Sequence, residues 1–306
     1  VASPADLVDR FAYTDFAHFI DTWVWKNQFL NTYEAFEYAA AAVAQHVADQ
    51  HIIYAEAFFS PSDFRHYGLA PAELALAIRR GLDQAPGTQV ALIVDLVRDT
   101  GPEAAARTFD QVAEVAAAAG VIGIGIGGSE AEYPPELFAA VYRRAGERGF
   151  RLTAHAGEAA GPDSVWGALR RLHVERIGHG VRSVEDPHLV RHLVASQVPL
   201  EVCPTSNLRT GVVNDWDTHP AGALIEAGAM VTLSSDDPAM FHCTLAGEYD
   251  AAVEHFGGDD AVIRRLAANA VDASWAEAET RRHLHARLAA WWDARSADDR
   301  SRPNRD

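Results

Sequence analysis

The chain has 306 residues, of which 48% are hydrophobic and 23% charged, as is typical of a globular protein with a substantial core. Its formal net charge of −17 disfavours nucleic acid and anionic membranes as partners, because both require a basic face. Two cysteines cannot form a disulfide framework, and no apolar segment is long enough to span a bilayer. We therefore expect a cytoplasmic protein that acts on a small molecule, while the composition leaves its oligomeric state open.

The predicted elements begin with two consecutive helices, at residues 15–29 and 33–48. Short β-branched runs then alternate with helical patterns, which predicts a parallel sheet with helical crossovers. The strands are predicted at 52–59, 90–97, 121–126, 151–155, 176–179, 198–202 and 230–233. The helices between and after them are predicted at 74–84, 103–119, 135–148, 164–172, 186–196, 244–255, 261–271 and 276–294.

This alternation predicts the α/β class, as a (β/α)8 TIM-type barrel with extra helices at its N-terminal and C-terminal ends. A closed barrel needs eight strands, whereas the sequence predicts seven. Because the chain also starts without methionine, we expect it to lack the first strand, which would leave 52–59 and 230–233 as unpaired edges. No linker divides the sequence, so we expect one domain over 1–306, with a frayed tail at 295–306.

Four short segments with reactive side chains each follow or end a predicted strand. They are His155-Ala156-Gly157-Glu158 and the segments 176–181, 201–207 and 233–238. Because the C-terminal ends of parallel strands meet at one face of a barrel, we expect these segments to surround one bowl. The sequence therefore predicts a single active site built from several strand ends.

The residue types at these strand ends favour a hydrolytic metal site. Such a site needs imidazole and carboxylate ligands, with one position left open for water. His155, His179 and Asp236 are the candidates at strand ends. Glu158 is suited to carry a proton between the attacking water and a leaving group. Asp237 either binds substrate beside a metal-binding Asp236, or the two aspartates only begin a turn or a helix.

Other segments carry weaker signals. The glycine-rich run 123–130 does not match the dinucleotide fingerprint, and we expect Gly127 and Gly128 to let backbone N–H groups approach a flat ligand. Phe16 and Phe19 either line the pocket or pack in the core. His283 and His285 fall in a predicted helix, where residues two apart point in different directions, so we do not expect them to chelate a metal.

The sequence is similar to the adenosine deaminase family of the amidohydrolase superfamily. The resemblance rests on His-Ala-Gly-Glu, Arg-Ile-Gly-His-Gly, Cys-Pro-Thr-Ser-Asn and the Asp-Asp-Pro segment, which occur here in the family's order and spacing. It implies a Zn²⁺-dependent barrel that hydrolyses the exocyclic amine of a small aminopurine. By this resemblance His155 and Asp236 are zinc ligands, Glu158 protonates a ring nitrogen and His179 orients the nucleophile. Asp237 and the backbone of Gly128 would hold other ring nitrogens.

One feature of the family is absent from the sequence. The family's first strand carries a His-x-His pair that supplies two zinc ligands, and no such pair precedes Thr14-Asp15-Phe16, which resembles the part that follows that strand. The main expectation is therefore a deaminase whose recorded sequence lacks its start. The alternative is a catalytically impaired barrel that binds a purine or a partner without stable zinc.

The signals for the substrate conflict. Cys-Pro-Thr-Ser-Asn, at 203–207, favours nucleoside deaminases. Phe58-Phe59-Ser60-Pro61 and Ser129-Glu130 differ from the usual nucleoside-type residues and favour adenine or aminofutalosine deaminases. The sequence therefore leaves the choice between an aminopurine base and an aminopurine nucleoside open.

Overall fold

Seven parallel strands form a curved sheet in which every strand neighbours the next one along the chain. The structure is a computed structural model that describes the backbone of residues 4–14 and 16–301 and the side chains of residues 7–14 and 18–295. The strands are Tyr54–Phe59 (β1), Gln89–Asp95 (β2), Val121–Gly125 (β3), Arg151–Ala156 (β4), Arg176–His179 (β5), Leu200–Val202 (β6) and Val231–Leu233 (β7).

Helices precede the sheet, connect its strands and follow it. Those up to the end of β4 are Pro4–Arg10 (α1), Phe16–Asn27 (α2), Tyr33–Asp49 (α3), Pro71–Leu82 (α4), Pro102–Ala119 (α5) and Ala139–Glu147 (α6). The later ones are Pro162–Gly167 (α7), Pro187–Ser196 (α8), Pro204–Arg209 (α9), Ala221–Glu226 (α10), Pro238–Phe241 (α11), Leu245–His255 (α12), Asp260–Ala273 (α13) and Ala278–Ser301 (α14). No helix in the described ranges is both long and apolar enough to cross a membrane.

This architecture confirms the predicted fold class, a TIM-type barrel with one strand fewer than the closed form. All seven predicted strands are present, and β1 and β7 are the two edges of the sheet, as expected. Two predicted helices differ in detail. The helix predicted at 135–148 starts with a 3-10 turn at Pro135–Phe138, and the one predicted at 164–172 ends in a π-helical turn at Ala168–Leu172.

The backbone of residues 295–301 continues α14 as far as Ser301, and the fraying expected for 295–306 stays a prediction. Near this end of the helix, Arg295 Nη2 lies 3.3 Å from Asp260 Oδ1 at the start of α13. Its guanidinium also lies 5.5 Å from the ring centroid of Trp291. The contact with Asp260 connects α14 to α13, while residues 302–306 lie outside the described part of the chain.

A buried ion cluster crosses the interior of the sheet. Arg176 on β5 is 4% exposed, and its Nη2 lies 2.5 Å from Glu56 Oε2 on β1. Its Nε lies 3.0 Å from Glu201 Oε1 on β6, and its guanidinium sits 3.5 Å from the ring centroid of Trp275. The backbone N–H of Trp275 donates to Glu56 Oε1 at 2.6 Å. The cluster therefore links one edge strand to the far side of the sheet.

Glycines on β3 make room for the aromatic rings that fill this interior. A Cβ atom at Gly123 would lie 2.8 Å from the ring of Trp275, and one at Gly125 would lie 2.8 Å from the ring of Phe58. Distances this short are steric clashes. The glycine-rich sequence of this strand thus serves packing inside the sheet, in keeping with its failure to match a dinucleotide fingerprint.

The N-terminal helices bridge the opening between β1 and β7. The ring of Phe19 on α2 lies 5.3 Å from the ring of Phe241, in the helix after β7. One turn later, Trp23 Nε1 donates to Oδ2 of Asp63, in the segment after β1, at 3.2 Å. Gln50, next to the end of α3, accepts a hydrogen bond from the backbone N–H of Leu245 at 2.9 Å. These contacts connect the two edges where the sheet has no pairing.

We predict that Arg176→Ala strongly destabilises the protein, because it leaves two partly buried carboxylates without the cation that neutralises them. Removing one member of a buried ion pair costs about 3–5 kcal/mol. Urea unfolding should show a loss of this size in the free energy of unfolding. The exposed Arg171, replaced by alanine, is the matched control and should change it by less than about 0.5 kcal/mol. Equal stability of both variants would contradict the role given to the cluster.

Candidate active site

The predicted site residues meet at the C-terminal end of the sheet. His155 is the penultimate residue of β4, His179 ends β5, and Asp236 follows β7 by three residues. His179 and Asp236 have φ angles of +61° and +53°, in the left-handed region that non-glycine residues avoid. Backbone strain of this kind concentrates at functional sites. The left-handed backbone at His179 and Asp236 turns the chain sharply just where, or just after, the strand ends.

Glu158, His179 and Asp236 come close enough to interact directly. His179 Nε2 lies 3.5 Å from Glu158 Oε2 and 3.9 Å from Asp236 Oδ2. The rings of His155 and His179 have centroids 5.2 Å apart. A hydrogen bond of 3.2 Å between the Asn207 side-chain amide and Nδ1 fixes the plane of the His179 ring. The structure thus brings together the four residues that the sequence placed at strand ends.

Carboxyl groups in this bowl are held partly in their neutral form. Burial raises the pKa of Glu158 to about 8, and repulsion from Asp236 adds to the effect. Burial and Asp236 likewise raise the pKa of Asp237 to about 7, against the opposing effect of Lys26. A cation placed among these crowded carboxyl groups would favour their ionised forms and would in turn be stabilised by them.

The donor atoms present are of the kinds that zinc accepts. Ligand atoms of His179, Cys203 and Asp236 lie within 4.8 Å of one another. His155 Nδ1 is buried and has no hydrogen-bond partner among the residues described. Imidazole and carboxylate donors with an open position are the usual ligands of a catalytic zinc. Burial raises the pKa of the Cys203 thiol, which favours its protonated form over a metal-binding thiolate.

Gly128 occupies a constrained position in the loop after β3. Its φ is +98°, and a Cβ atom there would clash with the Asp99 carboxylate. Asp99 Oδ2 accepts a hydrogen bond from the backbone N–H of Ser129 at 2.9 Å. Glycine suits a position with this φ and this close contact, so the proximity of Asp99 is one reason for glycine at this position. That its backbone also faces a flat ligand stays a prediction.

The structure bears differently on the predictions for the two aromatic candidates on α2. Phe19 packs against Phe241 and, with ring centroids 5.4 Å apart, against Tyr13, so it lies beside the segment that follows Asp237. A pocket-lining role for Phe19 remains a prediction. The side chain of Phe16 lies outside the described side chains, and its predicted role is untested. His285, on α14, contacts Asp272 on α13 with an Nε2–Oδ1 distance of 2.8 Å.

Sequence reasoning missed the structural roles of three residues near the site. Asp95 ends β2 and accepts a hydrogen bond from Ser60 Oγ at 2.9 Å, and the strand-end rule that found His155 would have found it too. Lys26 on α2 lies 3.3 Å from the ring centroid of Trp23, and burial lowers its pKa. Glu130 accepts hydrogen bonds from the loop that carries Glu158. For Lys26 and Glu130 the spacing of the sequence gives no signal.

The parallel barrel sheet with a polar bowl at its C-terminal end is the arrangement found in enzymes built on TIM barrels. The family model described as adenosine deaminase matches residues 2–291. The chain therefore belongs to the adenosine deaminase family of the amidohydrolase superfamily, which confirms the resemblance found in the sequence motifs. Deaminases of this superfamily are typically metal-dependent.

Three relatives illustrate the similarity. Aminodeoxyfutalosine deaminase of Streptomyces avermitilis is 36% identical over 296 residues, covering 94% of this chain and 83% of the relative. The crystal structure of adenine deaminase from Arthrobacter aurescens has a TM-score of 0.87 and 31% identity, covering 96% and 90% of the two chains. An amidohydrolase from Burkholderia ambifaria, solved with bound Zn, has a TM-score of 0.81 and 28% identity, covering 88% and 76%.

We predict that Asp236→Ala and Asp237→Ala separate metal binding from substrate binding. Asp236→Ala removes one of the two residues predicted to hold the metal and should lower the zinc bound per chain, because it leaves still fewer donors than the three protein ligands usual for a catalytic zinc. Asp237→Ala is the matched neighbour and should retain zinc while weakening use of the substrate. Zinc per chain, measured by atomic absorption after equilibration with zinc and dialysis, checks the assignment. Equal zinc contents in the two variants would defeat this division of roles.

Proposed function

We propose that the protein catalyses hydrolytic deamination of an aminopurine, with zinc as its metal. Water replaces the exocyclic amino group, giving the corresponding oxopurine and ammonia. The observation that carries this proposal is the meeting of Glu158, His179 and Asp236 at the ends of three strands, with His179 Nε2 3.5 Å and 3.9 Å from the two carboxylates. Membership of a deaminase family supports the same reaction.

Each residue of the bowl has a role in this reaction. Protonated Glu158 donates to the ring nitrogen beside the reacting carbon, which makes that carbon more electrophilic. His179, held by Asn207, orients the attacking water and shares a proton with Glu158. Asp237 and the backbone N–H of Gly128 hydrogen-bond the other ring nitrogens and so fix the orientation of the purine.

His155 and Asp236 would hold the zinc ion. When bound, zinc supplies a water molecule that is activated near neutral pH. The buried, unpartnered Nδ1 of His155 and the surplus of carboxylates in the bowl support a cation at this position. An amidohydrolase of similar fold, from Burkholderia ambifaria, was solved with bound Zn.

The substrate is a purine base or nucleoside with an amino group. Relatives named adenine deaminase and aminodeoxyfutalosine deaminase are 36–38% identical to the chain, which favours adenine or aminodeoxyfutalosine over adenosine. The departures from nucleoside-type residues at Phe58 to Pro61 and at Ser129-Glu130 support the same choice. The second candidate remains a barrel that binds a purine or a partner without stable zinc.

We expect the zinc-loaded protein to release ammonia from adenine, aminodeoxyfutalosine or adenosine, with adenosine the poorest of the three. Glu158→Gln should lower kcat by about 10²–10⁴-fold, because an amide cannot donate the proton, and should leave the zinc content unchanged. Glu132→Gln, at an exposed glutamate, is the matched control and should leave kcat unchanged. Failure to release ammonia from any of the three substrates, with zinc bound, would contradict the proposed function, whereas a protein that neither retains zinc nor releases ammonia would favour the second candidate.

A further inference from the structure

Glu130 is the acceptor for four consecutive backbone N–H groups. Its Oε1 accepts from Gly157 at 2.5 Å, and its Oε2 accepts from Glu158 at 3.2 Å, Ala159 at 2.8 Å and Ala160 at 2.9 Å. The residue itself is only 4% exposed. A single side chain from the loop after β3 therefore satisfies the whole row of donors in the loop after β4.

This second loop carries the proposed proton donor. Gly157 follows β4 directly and has a φ of +73°, so the chain turns sharply before Glu158. On the opposite side of the loop, Arg182 Nη1 donates to the carbonyl of Ala159 at 3.0 Å. Loops at strand ends lack the ladder of hydrogen bonds that fixes a strand. The position of Glu158 thus depends on contacts that the rest of the protein makes to the backbone of this loop, chiefly those of Glu130.

The segment that contains Glu130 is held firmly in turn. Arg98 is fully buried, its Nη1 donates to the carbonyl of Tyr133 at 2.9 Å and its Nη2 donates to the carbonyl of His155. Asp99 accepts hydrogen bonds from both the backbone N–H and the hydroxyl of Ser129. The end of β4 and the segment from Gly128 to Tyr133 are therefore joined by a buried guanidinium as well as by a buried carboxylate.

We propose that Glu130 is a positioning residue that sets Glu158 against the purine ring. It does so by fixing the backbone of 157–160 to the same loop whose Gly128 N–H would hold the ring. This inference rests on the proposed function for the roles of Glu158 and Gly128. Reactions that depend on a placed proton donor are sensitive to small displacements, and a shift of about 1 Å costs about 10²-fold in rate.

Glu130→Gln is the decisive variant, because it keeps the size of the side chain. The amide offers one acceptor oxygen, and its NH₂ group meets backbone N–H groups that it cannot satisfy. Glu130→Asp keeps the charge and both acceptor oxygens on a shorter side chain, so it should recover part of the function. Glu132→Gln, an exposed glutamate two residues away, is the matched control.

Two measurements on the zinc-loaded protein test the proposal. Hydrogen exchange followed by mass spectrometry should show loss of protection in peptides containing 157–160 for Glu130→Gln, a smaller loss for Glu130→Asp and none for Glu132→Gln. In steady-state kinetics with adenine, kcat should fall about 10–100-fold in Glu130→Gln, while KM changes less than about threefold, because Asp99 still holds the loop of Gly128. The zinc content should not change.

Each other outcome is informative. Unchanged protection of 157–160 would overturn the anchoring claim, and lost protection with unchanged kcat would overturn the positioning claim. A rise in KM at constant kcat would assign Glu130 to substrate binding instead. If Glu130→Gln fails to fold, the same comparison is made with Glu130→Asp. This variant must then show less protection of 157–160 and a lower kcat than Glu132→Gln. Loss of protection in a protein whose wild type releases no ammonia would support the anchor and count against the proposed function.

Discussion

The buried contacts of Arg176 with Glu56 and Glu201 hold the open sheet in its curved shape. The sheet has two free edges, β1 and β7, so main-chain hydrogen bonds alone do not bring its first and last strands together. Arg176 reaches from β5 to β1 and β6, and Trp275 covers its guanidinium. Burying three charges is costly, and it is offset only where geometry and hydrogen bonds are good. We infer that the convergence of the strand ends depends on these contacts of Arg176.

On β4 the candidate site uses the same inward face as the ion cluster, further along the strand. On β4, Thr153 donates from its hydroxyl to Glu201, and His155, two residues later on the same face, contacts Phe58. On β5 the chain runs from Arg176 to His179, whose left-handed backbone directs the chain away from the sheet. The ion cluster and the candidate site thus follow one another along the same short strands. We therefore expect a change in the ion cluster to alter the positions of the side chains in the candidate site.

The sequence predicted the strand-end residues because a parallel sheet gathers its C-terminal ends at one face, whatever the details of packing. The roles of Trp275 and Glu130 escaped prediction for a physical reason. Trp275 meets Glu56 across a separation of 219 residues, and Glu130 binds N–H groups that carry no side-chain signature. The contact of Arg295 with Asp260 is likewise made across the fold. Local patterns identify elements and their ends, but not the partners that elements find in space.

The zinc K-edge X-ray absorption spectrum of the zinc-loaded protein tests the central claim most directly, because it reports the donor atoms themselves. If His155 and Asp236 hold the metal, the first shell contains only nitrogen and oxygen at about 2.0–2.2 Å, with the outer-shell scattering of imidazole. A sulfur shell at about 2.3 Å would show that Cys203 has taken the metal instead. That result, or a protein that holds no zinc, would contradict the account.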